Sequence, residues 1–237
     1  MIVDKDPMGH AIADYHATGK AARLRVLSPA FDEDEIPVKT LFRPFDGMPR
    51  IEQEALRQAS GTILDVGAGA GCHSLALQEM GKRVTAIDIS PLAVATMRQR
   101  GVEDVREQDF FALDGQYDTI LMLMNGIGIV GTISRLPAFF MQVDSLLAPG
   151  GQLLCDSSDI CYVYEDEDGF IDLTGVEGYY GELTYQMRYK GIKGESFPWL
   201  FIDAETLREQ AAQHGFDCEV IARGEHYDYL ARLTRHH

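Results

Sequence analysis

A doubly wound α/β fold is what this chain of 237 residues predicts. Three observations carry the prediction. Short apolar runs alternate with stretches of helical periodicity between about residues 62 and 155. The first run ends in a glycine-rich turn, Gly67-Ala68-Gly69-Ala70-Gly71. One run, Thr119 to Met124, is apolar throughout, as a strand buried on both faces of a parallel sheet is. Strands alternating with helices of this length imply right-handed crossovers and helices on both sides of the sheet.

Thr62 to Val66 (TILDV) reads as the first buried strand. Cys72 to Met80 can form the helix after the glycine turn, and Gly81 can stop it. Arg83 to Ile87 is the second strand. Ser90-Pro91 then supplies an N-cap and a proline at the first helical position, with the helix running to about Arg100. Val102 to Glu107 is a weaker third strand, and Thr119 to Met124 (TILMLM) a fourth. Leu136, Phe139, Phe140, Val143 and Leu147 fall at helical spacing. Pro149-Gly150-Gly151 turns the chain into a fifth strand, Gln152 to Cys155. Near the end, Asp203 caps a helix to about His214, and Gly215 ends it. Two β-like runs follow, Asp217 to Ala222 and Tyr227 to Leu233, joined at Arg223-Gly224 as an edge hairpin.

Two regions lie outside this pattern. Residues 1–60 contain two predicted helices, Met8 to Thr18 and Met48 to Ala59, around an irregular acidic stretch, Phe31 to Ile36. Residues 160–200 form an insertion rich in tyrosine and glycine, in which Tyr179 to Tyr189 alternates like a strand. The expected organisation is an N-terminal helical cap or lid (1–60), a cofactor-binding core (61–159), a β-rich insertion capping the substrate pocket (160–200), and a helix and hairpin completing the core sheet (201–237).

Composition narrows the function. Acidic residues number 37 against 21 basic ones, a net charge of −16. A field of that sign repels phosphate backbones and anionic lipid, so no nucleic-acid or membrane partner is expected. Cys72, Cys155, Cys161 and Cys218 show no C-x-x-C spacing, which argues against structural zinc and a disulfide framework. The start, MIVDKDPMGH, lacks a basic segment followed by an apolar one, and no apolar run approaches a membrane span. A cytoplasmic location is the expectation. His236 and His237 are given no role.

The chemistry sits in Leu64-Asp65-Val66-Gly67-Ala68-Gly69-Ala70-Gly71. A glycine turn between strand and helix lets backbone approach a ligand closely, beside the free amides of a helix N-terminus. A dinucleotide fingerprint needs glycine or alanine five positions after the first glycine. Here that position is Cys72. Asp65 closes the strand just before the turn, where a carboxylate would repel a pyrophosphate but suit a ligand carrying an ammonium and a sulfonium. That ligand is S-adenosylmethionine. Asp88 ends the second strand, where an acid accepts from both ribose hydroxyls. Asp109 follows the third strand, placed to accept from the adenine amino group, with Phe110 beside it to pack on the ring.

The motifs ILDVGAGAG, VTAIDIS, the acid in EQDFF, DTILMLMNGIG and LLAPGGQLL occur in this order between Gly61 and Cys155. In this the sequence resembles the class I S-adenosylmethionine-dependent methyltransferases. The resemblance implies a seven-stranded, mostly parallel, Rossmann-like sheet with the last strand antiparallel. It implies cofactor contacts at Asp65, Gly67, Ala68, Gly69, Asp88, Ile89, Asp109, Phe110, Met124 and Asn125, and S-adenosylhomocysteine as the product. The expected activity is methyl transfer to a small-molecule acceptor, by a monomer or homodimer.

Other signals are weaker. Asn125 stands where amino-directed nucleic-acid methyltransferases carry a proline-rich tetrapeptide. Asp156 and Asp159 in CDSSD are similar to the acid cluster of metal-dependent relatives, but the acid those need after the fourth strand is Asn125 here, so no metal is expected. Glu165-Asp166-Glu167-Asp168 and Asp32 to Glu35 read as solvated acidic loops. His73 reads as a capping residue that could also bond near the cofactor. Asp14, Tyr15 and His16 lie on the first predicted helix, which in small-molecule members often folds over the cofactor; Tyr15 and His16 are the catalytic candidates. Tyr179, Tyr180, Tyr185, Tyr189, Phe197 and Trp199 suit either an apolar pocket or a subunit interface. The competing functions are a protein methyltransferase, a nicotinamide-dependent oxidoreductase and a non-catalytic cofactor-binding protein.

Overall fold

A computed structural model of the chain describes residues 1–166 and 168–236. Glu167, in the second acidic run, and His237 lie outside the described residues. Chain order gives helix α1 (Pro7–Thr18), strands β1 (Leu24–Leu27) and β2 (Asp34–Ile36), α2 (Arg50–Gln58), β3 (Thr62–Val66), α3 (Cys72–Glu79) and β4 (Arg83–Asp88). Then follow α4 (Pro91–Arg100), β5 (Asp104–Glu107), β6 (Tyr117–Met122), α5 (Leu136–Leu146), β7 (Leu147–Ser158), β8 (Glu182–Tyr189), β9 (Ile192–Leu200), α6 (Ala204–Gln213), β10 (Phe216–Arg223) and β11 (Asp228–Arg235). Short 3-10 turns join several of them.

The main sheet has seven strands in the order β10-β11-β7-β6-β3-β4-β5. Its central pairs are parallel, and β11 runs antiparallel to both β7 and β10. This is the expected sheet. Period-two alternation assigns its faces. Leu64, Val66, Ile120, Met122, Leu153 and Cys155 point toward α5 and α6, where Phe139, Phe140 and Leu207 complete one core. Ile63, Leu121, Leu123 and Leu154 point the other way, toward α2 and α3. Phe139 and Phe140 are fully buried, and truncating either to alanine should cost about 3–5 kcal/mol.

The N-terminal segment and the insertion differ from expectation. They are not separate caps: β1 and β2 from the first and β8 and β9 from the second form one four-stranded antiparallel sheet, β2-β1-β8-β9. The short run at Leu24–Leu27 and the acidic run at Asp34–Ile36 carry little β signal by themselves. Pairing across the sheet, with ion pairs Arg23–Glu35 and Arg25–Glu33, makes them strands. The acidic run is therefore an edge strand and not a loop. β9 is equally hidden in the sequence, because IKGESFPWL contains Gly194 and Pro198; it is an edge strand, where a proline is tolerated. β7 extends to Ser158, three residues past the predicted end, and carries Asp156 inside the sheet.

The small sheet stands over the carboxyl edge of the large one. Trp199 of β9 lies against Gly128 in the turn after β6, where an added Cβ would fall 2.2 Å from its Nε1. Helix α1 lies between α4 and the small sheet. Among the described residues no helix is long and apolar enough to cross a membrane.

Candidate functional site

The glycine turn joins β3 to α3 at the carboxyl edge of the main sheet. Gly67, Gly69 and Gly71 have φ of +67°, +57° and +80°, a region that L side chains rarely adopt. Their neighbours differ. A Cβ at Gly71 would lie 3.0 Å from Met97 and Val102, so Gly71 serves packing. A Cβ at Gly67 would meet nothing within 4 Å, and one at Gly69 would approach only the Gly67 carbonyl and Ile12, each at 4.0 Å. The backbone there faces open space that a ligand can fill. The Ala68 amide, by contrast, is spent on the Ile87 carbonyl at 3.0 Å.

Three acids stand around the turn. Asp88 ends β4, with Oδ2 accepting from the Gly69 amide at 2.9 Å and Oδ1 from the Ser90 amide at 2.8 Å. Each oxygen keeps a second lone pair for a ligand hydroxyl. Burial raises its pKa, with Asp6 and Asp65 adding to the rise while the Ser90 and Gly69 amides oppose it. Ile89, beside it, is 46% exposed and offers an apolar platform. Asp109 is exposed and caps the next turn through the Phe111 amide at 2.9 Å. Phe110 is not available as a stacking surface: its ring is 3% exposed, packed on Phe139.

Asp65 is buried below the turn rather than on its rim. Alternation along β3 points it to the α3 side, where the Ser74 hydroxyl donates to Oδ2 at 2.5 Å. Burial raises its pKa, opposed by nearby His73 and the Ser74 bonds. His73 belongs to a buried cluster that sequence reading missed. Its Nε2 lies 2.9 Å from Oε2 of Glu52 on α2, and Glu52 also receives the Arg43 guanidinium. Burial opposes the charge on each group, but pairing wins: the Glu52 pKa is lowered, and Cys72, Glu52 and Asp65 hold His73 well above its usual value.

The turn after β6 is strained. Met124 and Asn125 both take left-handed conformations, with φ of 64° and 56°. Asp156 braces them from β7, its carboxylate accepting from the Met124 amide at 3.0 Å and the Gly126 amide at 3.2 Å. The Asn125 side chain accepts from Ser157 Oγ at 3.0 Å and donates to the Leu200 carbonyl at 3.1 Å, tying the turn to β7 and β9. Met124 is left 38% exposed beside the glycine turn's strand.

Of the N-terminal candidates, Tyr15 packs on Phe42, with ring centroids 4.7 Å apart, and His16 is exposed. Tyr15 packs in a separate cluster with Met8 and Phe42, and the α1 residue seen nearest the glycine turn is Ile12, one turn earlier. Helix α1 is capped by Asp6, whose role the sequence signalled by the same cap-then-proline pattern read at Ser90-Pro91. In the insertion, Tyr179 donates to Asp203 and Tyr180 to Asp159, while Tyr185 meets Phe197 and Phe201 edge-on.

The arrangement fits S-adenosylmethionine. The positive-φ glycines leave room for it, Asp88 has lone pairs to spare, and the acids suit its positive charges. Among the described residues no group of three His, Cys, Asp or Glu is gathered as a metal ion would need. A concavity of about 730 Å³ lies at the opposite edge of the main sheet, lined by residues such as Gln58, Asp118 and Gln152. Its polar groups are spent on neighbouring chain, Asp118 on Thr62 and Gln152 on the Gln58 carbonyl, so the chemistry marks the carboxyl edge instead.

Comparison with known proteins agrees with this geometry. Residues 42–220 match the model of a methyltransferase domain family. The chain is 56% identical to a solved methyltransferase from Bacteroides fragilis, described as S-adenosylmethionine-dependent and in complex with S-adenosyl-L-homocysteine; the match covers 99% of this chain and 97% of that one, with a TM-score of 0.93. Among curated proteins, the cypemycin N-terminal methyltransferase of a Streptomyces species is 33% identical over 41% of this chain and 42% of its own length. The ubiquinone biosynthesis O-methyltransferase of Azotobacter vinelandii is 36% identical over 43% and 46%. The chain thus matches less than half the length of these two curated relatives.

Proposed function

Because the chain belongs to the methyltransferase domain family, within the S-adenosylmethionine-dependent class I enzymes, we propose that it methylates a small-molecule acceptor. When bound, S-adenosylmethionine supplies an electrophilic methyl group on a sulfonium. The chain's own residues bind and align. Asp88 would accept from the ribose hydroxyls with its two remaining lone pairs. The open backbone at Gly67 and Gly69 receives the ligand without a side chain intervening. Ile89 and the free oxygen of Asp109 would hold the base. Asp65 would contribute negative potential from beneath the turn, and Met124 and Asn125, in the turn after β6, would line the cofactor.

The observation that carries the reading is the pairing of Asp88 with the amide of Gly69, which joins the ribose acid to the open glycine turn. Cover by the four-stranded sheet and α1 supports a small acceptor over a protein, and the net charge of −16 disfavours nucleic acid. Free Cys72, Cys155, Cys161 and Cys218 support a reducing, cytoplasmic setting. Calorimetric titration with S-adenosylhomocysteine tests the site. Asp88→Ala should weaken binding by about 1.5–3 kcal/mol, the worth of charge-assisted hydrogen bonds. Unchanged affinity, or preferential binding of a nicotinamide dinucleotide, refutes the reading.

A further inference from the structure

An unbroken chain of hydrogen bonds runs from α1 to the glycine turn. The Gly69 amide donates to Asp88 Oδ2 at 2.9 Å, and the Ser90 amide to Asp88 Oδ1 at 2.8 Å. The Ser90 hydroxyl donates its one proton to Asp6 Oδ2 at 2.5 Å, while its oxygen accepts from the Ala93 amide at 2.9 Å. Asp6 Oδ1 accepts from the Gly9 amide at 2.8 Å. Asp6 and Ser90 thus cap α1 and α4 and are bonded to each other, although 84 positions apart. Both are buried, Asp6 to 1% and Ser90 to 4% exposure. A buried carboxylate is costly unless its bonds are made, so this contact is more than incidental packing. Gly9 makes room for it: a Cβ there would fall 2.1 Å from Asp6 Oδ2 and 2.4 Å from Ser90 Oγ.

We propose that Asp6 is a positioning residue for the cofactor. Through Ser90 it fixes the carboxylate of Asp88, so that docking of α1 and orientation of the ribose acid are one event. The same docking seats Ile12 beside Gly69 and against Ala70 and Ala93, forming a wall of the site. Without Asp6, the Ser90 hydroxyl proton loses its acceptor and α1 loses its cap. The proposal rests on Asp88 holding the ribose, as proposed for the methyl-transfer reaction.

The test is a double-mutant cycle on the full chain, read by calorimetry with S-adenosylhomocysteine. Asp6→Ala should raise Kd by about fivefold or more, the lower end of typical coupling between sites. Asp88→Ala should raise it further, and the double variant should lose clearly less than the sum of the two single losses, because Asp6 acts mainly through Asp88. Asp6→Asn keeps one acceptor oxygen and should recover part of the loss. A merely structural cap would lower Tm in Asp6→Ala while leaving Kd at the wild-type value, and that result overturns the proposal. Additive losses in the double variant also overturn it. If Asp88→Ala itself leaves Kd unchanged, the ribose assignment fails and the proposal falls with it. If only Asp6→Ala is silent, the assignment stands and the proposal alone is lost.

Discussion

Asp156 should make the fold's stability depend on pH in an unusual direction. Burial pushes its pKa up to about 7, with Glu52 adding to the rise, while the amides of Gly126 and Met124 and nearby His73 oppose it. In the unfolded chain an aspartate titrates near 4, so between roughly pH 4 and 7 the folded state holds the extra proton. Stability from this group is therefore fully present at the acid end and is lost as pH rises through 7. Each pH unit well inside the window is worth about 1.4 kcal/mol, so pH 5 to 7 spans roughly 2–3 kcal/mol. For a chain of this size that corresponds to a Tm change of roughly 5–10 °C. Asp156→Asn removes the titration. Scanning calorimetry of both proteins from pH 5 to 8 should show the wild-type Tm falling relative to the variant by that amount and levelling above the window. A Tm difference that stays constant across the range would refute the assignment of a neutral, buried Asp156.

Two further perturbations test the packing around the site. Gly128→Ala places a Cβ 2.2 Å from Trp199 Nε1, so the indole must shift off the turn after β6. A loss of about 1–3 kcal/mol is expected from overpacking. Trp199 is the chain's single tryptophan, so its emission should shift to the red, and unchanged emission would contradict the contact. Arg43→Met leaves Glu52 buried with His73 alone and should cost about 3–5 kcal/mol in denaturant unfolding. Adding Glu52→Gln should return part of that loss; a double variant weaker than the single one would show that the pair is not coupled.

The main sheet was legible because buried parallel strands write themselves as short apolar runs, and TILDV and TILMLM did so. The glycine turn and Asp88 were legible for a related reason: spacing along repeated strand–helix units fixes which residues reach one edge. The small sheet was not. Leu24–Leu27 and Asp34–Ile36 acquire strand character only through a sheet completed by β8, which no local pattern encodes. The buried ion cluster was hidden likewise, since Arg43, Glu52 and His73 meet across three separate elements. Alternation does explain part of it afterwards: Asp65 and Asp156 sit out of phase with the α5-facing residues, which turns both toward α2 and α3. Phe110 shows the limit of spacing arguments, because position at the edge does not decide whether a ring turns outward or into the core.

The roof built from the N-terminal segment and the insertion has a consequence for biosynthesis. Ala22 is held by the hydroxyl of Tyr189, a partner 167 positions later. At 5–20 residues per second, the ribosome needs roughly 10–30 s to supply that partner. Until then the β8-facing edge of β1 is unpaired and Leu24 and Val26 are uncovered, an invitation to wrong neighbours. Arg23 and Arg25, with the acidic run that follows, can close a small local hairpin during the wait. Nascent-chain proteolysis should find the leading segment protected only after the insertion has left the exit tunnel.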